Sequence, residues 1–171
     1  MIHGRFQPFH LGHLEYLRGA AVRSEEVFVG ITNPDPARIR PEESDPLRHL
    51  PESNPFTYVE RMLMVKAAAA DAGIAAERLH VIPFPVNEPE LWPAYVPDDV
   101  TQFIRLFSDW GGTKLERLRE AGFEVVVLDE GASKEISGAD VRAALREGGD
   151  WERLVPPGVV RVLQELQRTP V

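Results

Sequence analysis

Cysteine is absent from the 171 residues. That excludes disulfide frameworks, cysteine-based zinc sites and thiol nucleophiles, and it fits a reducing cytoplasm, where the chain is expected to reside. Long apolar runs are missing as well: the longest strand-like one is Val125-Val126-Val127-Leu128, and Met62-Leu63-Met64-Val65 meets Lys66 at once. No segment is expected to cross a bilayer, and no charged-then-apolar leader opens the chain. Positive charge is not in excess either, because 19 Lys+Arg stand against 27 Asp+Glu for a formal charge of −8. Generic wrapping of nucleic acid depends on clustered cations, so neither nucleic acid nor membrane is expected as a partner. Two nucleotide fingerprints are also lacking: no Gly-x-Gly-x-x-Gly follows a strand, and no Gly-x4-Gly-Lys-[Ser/Thr] occurs. Dinucleotide dehydrogenase and P-loop chemistries are poor readings for that reason.

What is present has the size of one ordinary domain, residues 1–171, able to bury a core without staples. Residues 1–4 form a short apolar stub, and apolar Leu14, Leu17, Ala20 and Ala21 at helical spacing predict a helix over 12–23. The run 27–32 is continuous and β-rich, as in a strand covered on both faces of a parallel sheet. Six prolines and many charges make 33–55 a long loop. Thr57 with Glu60 has the spacing of a capping box for a helix ending near Asp71, before Gly73. Strands are then expected over 79–84, 100–107 and 123–128, with a short helical turn over 90–95 and a helix over 112–121. A C-terminal helical part, 137–171, holds a helix capped by Ser137 and a last one opened by Pro157. Alternation of this kind predicts an α/β fold, a Rossmann-like doubly wound parallel sheet of five strands, with ligands at the carboxyl ends where strand order reverses.

Chemistry concentrates after the first strand, in Gly4-Arg5-Phe6-Gln7-Pro8-Phe9-His10-Leu11-Gly12-His13. Two imidazoles and a guanidinium gather at a strand end, and Gly12 lets the backbone open a helix whose amides face the crevice. Such a loop can hold a phosphate chain by charge-assisted hydrogen bonds.

This segment resembles the nucleotidylyltransferase superfamily, whose signature is His-x-Gly-His, and within it the nicotinamide mononucleotide adenylyltransferase branch of archaeal type. Asn54-Pro55-Phe56-Thr57 with Glu60-Arg61, Ile136-Ser137-Gly138-Ala139-Asp140-Val141-Arg142, Trp151 and Leu154-Val155-Pro156 extend the resemblance over most of the chain. The resemblance implies transfer of AMP from ATP to nicotinamide or nicotinate mononucleotide, one phosphate oxygen attacking the α-phosphorus while pyrophosphate leaves. Such a reaction needs positioning and charge neutralisation and no covalent nucleophile. It implies His13 on the α-phosphate, His10 on the neighbouring phosphates, and Arg5 between donor and acceptor. Ser137 and Arg142 would form a second phosphate clamp, and Gly4, Phe6, Gln7, Gly12 and Gly138 would complete the nucleotide site. Mg2+ would be held mainly by triphosphate oxygens, with no metal site made by the protein. A symmetric homo-oligomer is also implied.

Other features open alternatives. The loop over 33–53 and a Trp-Gly turn after the fourth strand look similar to CTP-dependent cytidylyltransferases acting on small phosphonates such as phosphonoformate. On that reading Arg38, Arg40 and Arg48 fold over a compact anion, unless they are solvated partners of Glu42, Glu43 and Asp45. On the mononucleotide reading Asn33, Asn87 and Trp92 contact the acceptor, Trp92 stacking on its ring, whereas the plainer account has Trp92 and Tyr95 covering the sheet end. Ala139 stands where the resemblance calls for threonine. A non-catalytic nucleotide-binding regulator on the same fold is the reading from another class.

Overall fold

The computed structural model describes residues 1–41, 47, 49–106, 109–130 and 136–168. Its elements in chain order are β1 (Ile2–Gly4), α1 (Leu11–Ala21), β2 (Val27–Thr32), α2 (Tyr58–Asp71), β3 (Leu79–Phe84), β4 (Gln102–Leu106), α3 (Asp109–Glu120), β5 (Val125–Glu130), α4 (Gly138–Glu147) and α5 (Pro157–Arg168). The capping signals act where the local sequence places them. Thr57 accepts from the Glu60 amide at 3.3 Å while the Glu60 carboxylate takes the Thr57 amide at 2.7 Å, which satisfies two orphan donors of α2 reciprocally. Short 3-10 turns at Pro36–Arg38 and Pro51–Ser53 punctuate the proline-rich loop, and a third occupies Pro89–Ala94.

All strand pairings are parallel, which agrees with the expected α/β class, but the expected single five-stranded sheet needs correction. The strands form two ladders, β1-β2-β3 and β4-β5. They abut at β1 and β4, where the Phe103 amide donates to the Met1 carbonyl at 2.8 Å. The physical reason for the break is Tyr16 of α1. Its hydroxyl donates to the Phe103 carbonyl and lies within hydrogen-bonding reach of the His3 backbone, so a side chain enters the seam where a ladder would continue. Burial pushes this phenol above its usual range.

The lateral order 3-2-1-4-5 places β1 and β4 at the centre, with the chain winding outward on either side; the crevice at their carboxyl ends is the place for a ligand. On one face α1, α2 and α5 bury Leu17, Met64, Val65, Val159 and Leu163 against Val29 and Ile31. On the other, Leu118 of α3 joins Phe84, Trp92 and Ile104. Each such large apolar side chain contributes roughly 1.5–3 kcal/mol. Gly30 of β2 is required by close approach, since a Cβ there would stand 2.9 Å from the Phe84 Cβ. Among the described residues no helix is long and apolar enough to cross a membrane.

Candidate active site

The loop joining β1 to α1 is shaped from beneath by two aromatics. Phe6 turns the backbone through a left-handed conformation, φ 51°, and with Phe9 is wholly buried. A Cβ on Gly4 would crowd the Phe6 ring at 3.1 Å. The His13 ring lies edge-on to Phe6, centroids 4.8 Å apart, and tilted against Phe9 at 5.4 Å. Its other neighbour is His10, stacked on it at 3.6 Å with 27° between the planes. The His10 amide donates to His13 Nδ1 at 3.3 Å. This bond assigns the neutral tautomer of His13 with its proton on Nε2, so that the outer nitrogen is a donor. A Cβ on Gly12 would crowd the His10 ring at 3.2 Å, which explains the glycine between the histidines.

The loop is held from behind by Arg61, to which sequence reasoning gave no role. Arg61 is 1% exposed and pairs with no carboxylate among the described residues; its guanidinium donates to four backbone carbonyls. These belong to Arg5 (2.9 Å), Thr32 (2.8 Å), Asn33 (2.9 Å) and Thr57 (3.2 Å), so one side chain ties the ends of β1 and β2 to the first turn of α2. Burial lowers its pKa to about 10. A signal was available: Arg61 falls in register with Met64, Val65 and Ala68 on the buried stripe of its helix. Asn33, whose carbonyl it grips, is the second non-glycine residue with positive φ, at 50°.

The side chains of Gln7 and Phe6 are engaged within the protein, which leaves their backbone groups to face a nucleotide. The Gln7 amide is bound on both sides by the backbone of Phe56, donating at 2.8 Å and accepting at 2.9 Å, and clips the loop to the segment before α2. Phe6 is a buried support for His13.

The second phosphate-clamp candidate comes to the same loop. Ser137 caps α4 in a reciprocal box with Asp140, whose carboxyl is held below its usual range by the Ser137 hydroxyl and amide. Gly138 presses on the loop so closely that a Cβ would stand 2.8 Å from the Gln7 carbonyl. Arg142 Nη1 donates to that same carbonyl at 2.7 Å. The amino ends of α1 and α4, with their positive dipole ends, thus flank one loop that also carries His10, His13 and the half-buried Arg5. This arrangement can hold a polyanion and stabilise charge that develops on it.

The residues expected on the acceptor side are dispersed. Trp92 is 1% exposed, donates its indole N–H to the Pro85 carbonyl at 2.9 Å, and packs against Phe84 and Phe123 at 5.3 and 6.1 Å. It is a core residue covering the sheet, which corrects the ring-stacking role. Arg38 is ion-paired to Glu88 and so straps the proline-rich loop to the segment after β3. Arg40 and Asn87 are exposed, Asn33 is half-buried, and Arg48 lies outside the described residues, as do Glu42, Glu43 and Asp45. His3, given no role from the sequence, is buried in β1 and its imidazole is held well below the usual range by that burial, with Lys114 adding to the effect. A separate concavity bordered by Glu90, Trp92, Arg117 and Phe123 shares no residue with the histidine loop. Among the described residues no group of three His, Cys, Asp or Glu could hold a metal ion.

Residues 1–144 match the cytidylyltransferase-like family. The chain is 49% identical over 165 residues, 96% of its length and 90% of the relative's, to phosphonoformate cytidylyltransferase of Streptomyces viridochromogenes. It is 33% identical over 166 residues, 96% of its length and 81% of the relative's, to nicotinamide-nucleotide adenylyltransferase of Thermococcus kodakarensis. A bifunctional NMN adenylyltransferase/ADP ribose pyrophosphatase from Francisella tularensis superposes with a TM-score of 0.71 at 18% identity, over 99% of this chain and about half (49%) of that one. The same likeness, at a TM-score of 0.68 and 16% identity over 97% of this chain and 48% of that one, extends to the form of that protein complexed with AMP and a manganese ion. With its paired histidines and two converging helix ends, this chain belongs to the cytidylyltransferase-like family and is a nucleotidyltransferase.

Proposed function

We propose that this chain transfers CMP from CTP to a compact phosphonate of the phosphonoformate type. The observation that carries this reading is the 49% identity across nearly the whole chain to a phosphonoformate cytidylyltransferase, against 33% to an adenylyltransferase acting on nicotinamide nucleotide. Burial of Trp92 supports it, because an acceptor with a planar ring finds no open indole face there. A phosphonate oxygen attacks the α-phosphorus, the bond from that phosphorus to the bridging oxygen breaks, and pyrophosphate leaves with its electron pair. His13 donates through Nε2–H to the α-phosphate as negative charge grows, while His10 and the α1 amides receive the neighbouring phosphates. Arg142 and the amino end of α4 hold the β- and γ-phosphates, and Arg5 lies between donor and acceptor. The donors around the loop are cationic or neutral, and Asp140 is turned into the Ser137 cap. A divalent ion, Mg2+ on this reading, would be held mainly by the triphosphate rather than by this loop and would supply further charge neutralisation.

Transfer of AMP to nicotinamide mononucleotide is the second reading, favoured by the relatives at 33 and 34% identity that are nicotinamide-nucleotide adenylyltransferases. A pyrophosphate-release screen of CTP, ATP, GTP and UTP against phosphonoformate, nicotinamide mononucleotide and nicotinate mononucleotide tests both. CTP with phosphonoformate is expected to exceed every other pair in kcat/KM by at least about 100-fold, or about 2.7 kcal/mol in transition-state binding. Preference for ATP with a mononucleotide would overturn the reading.

A further inference from the structure

Arg105 belongs to none of the motifs, yet it stands at the carboxyl end of β4, the strand beside β1 where the strand order reverses. Pairing between β4 and β5 is regular up to Ile104, opposite Val127, and then skips a residue so that Arg105 stands opposite Asp129. The extra residue, Leu128, belongs to β5, so the regular ladder breaks beside Arg105, and such irregularities are concentrated beside active sites. The Arg105 guanidinium crosses to the histidine loop and donates from Nη1 to the Gly12 carbonyl at 2.9 Å, with the Glu15 carboxylate at 3.8 Å and only 16% of the side chain exposed. Holding so long a side chain in one place costs rotamer entropy, which a solvated surface charge does not recover. Gly12 lies between His10 and His13 in the chain, and even a Cβ on it would crowd the His10 ring at 3.2 Å. The bond therefore anchors, from the β4 side of the crevice, the one turn that carries both imidazoles.

We propose that Arg105 is a positioning residue for nucleotidyl transfer: by pinning the Gly12 carbonyl it holds the His10–His13 stack and the amino end of α1 at the reacting position. The inference rests on the reading of the histidine loop as the transfer site. Arg105→Ala is expected to lower kcat by about 10- to 100-fold, the loss that a displacement of about 1 Å in a catalytic group produces, with KM for the triphosphate changed less than about threefold. Arg105→Lys should recover part of kcat, since an ammonium still reaches one carbonyl. A kcat within threefold of the parent overturns the proposal. So does a loss that follows the folded fraction by circular dichroism and is not rescued by lysine, or one confined to KM. A second measurement needs no substrate: histidine nitrogen spectra of the free protein. His13 is expected to show Nε2–H with Nδ1 as acceptor, and its Nδ1 signal should move in Arg105→Ala; an unmoved signal overturns the proposal. A moved signal in a protein that transfers no nucleotide to any acceptor would uphold the role of Arg105 in placing His13 and would remove the transferase reading instead.

Discussion

Replacing Arg61 by methionine, which keeps most of the volume and removes the charge, should destabilise the domain by about 2–3 kcal/mol and loosen the active-site loop with it. A buried ion pair exchanged for apolar residues can be neutral, because both charges go. The partners of Arg61 are backbone carbonyls, which no substitution can remove. The Thr32 carbonyl is buried and, left without a donor, costs about 1–3 kcal/mol. Those of Arg5, Asn33 and Thr57 are partly buried, so water replaces the lost bonds incompletely, at roughly 0.5–1 kcal/mol each. Relief of the desolvation that holds this guanidinium at about pKa 10, together with apolar contacts made by the methionine, offsets part of the loss. Because whole domains are stable by only about 5–15 kcal/mol, the remainder is easily read. With a slope of about 2 kcal/mol per molar urea for a chain of this size, the unfolding midpoint should fall by about 1–1.5 M. Arg61→Lys should lie between the two, since an ammonium cannot span carbonyls from three chain segments. An Arg61→Met midpoint within about 0.3 M of the parent, at unchanged slope, would refute the claim that four carbonyls depend on this side chain.

Two further outcomes are expected. His13→Ala should leave the urea midpoint near that of the parent but lower kcat by about two to three orders of magnitude with the best substrate pair, as when one donor to a developing oxyanion is lost; turnover above a tenth of the parent value would remove His13 from the chemistry. His3 is held neutral by burial, so its folded pKa lies below the unfolded value near 6.5. Below that pH the unfolded chain binds a proton that the folded one refuses, so stability falls as pH decreases from 6.5, by about 1.4 kcal/mol per pH unit for this single site. His3→Val should flatten the profile of urea midpoints between pH 6.5 and 5, and an equally steep profile in the variant would show that other groups set it.

Local signals were legible because their physics is local. A cap acts within four residues, so Thr57 with Glu60, and Ser137 by itself, marked the starts of α2 and α4. The β-rich runs marked β2 and β3 to the residue. The histidine loop was equally plain, as its glycine and imidazoles adjoin one another in the chain. Other features depend on partners far along the chain. Tyr16 enters the β1–β4 seam by bonding a carbonyl 87 residues away, and nothing around Tyr16 in the sequence marks the five strands as two ladders. Gln7 looked like a ligand contact because its partner, the Phe56 backbone 49 residues on, has no side-chain signature. Trp92 could stack on a ligand or cover the sheet with the same local pattern, and packing against Phe84 and Phe123 settled it as cover. Arg61 and Arg105 read as ordinary charges, since exposure and bonding geometry arise only when distant backbone folds around a guanidinium. Short-range periodicity and turn chemistry therefore specified the elements and the chemical loop. The groups that hold that loop in place, and the side chains withdrawn from it, were settled by contacts tens of residues apart, for which a carbonyl oxygen in any residue type serves equally well as acceptor.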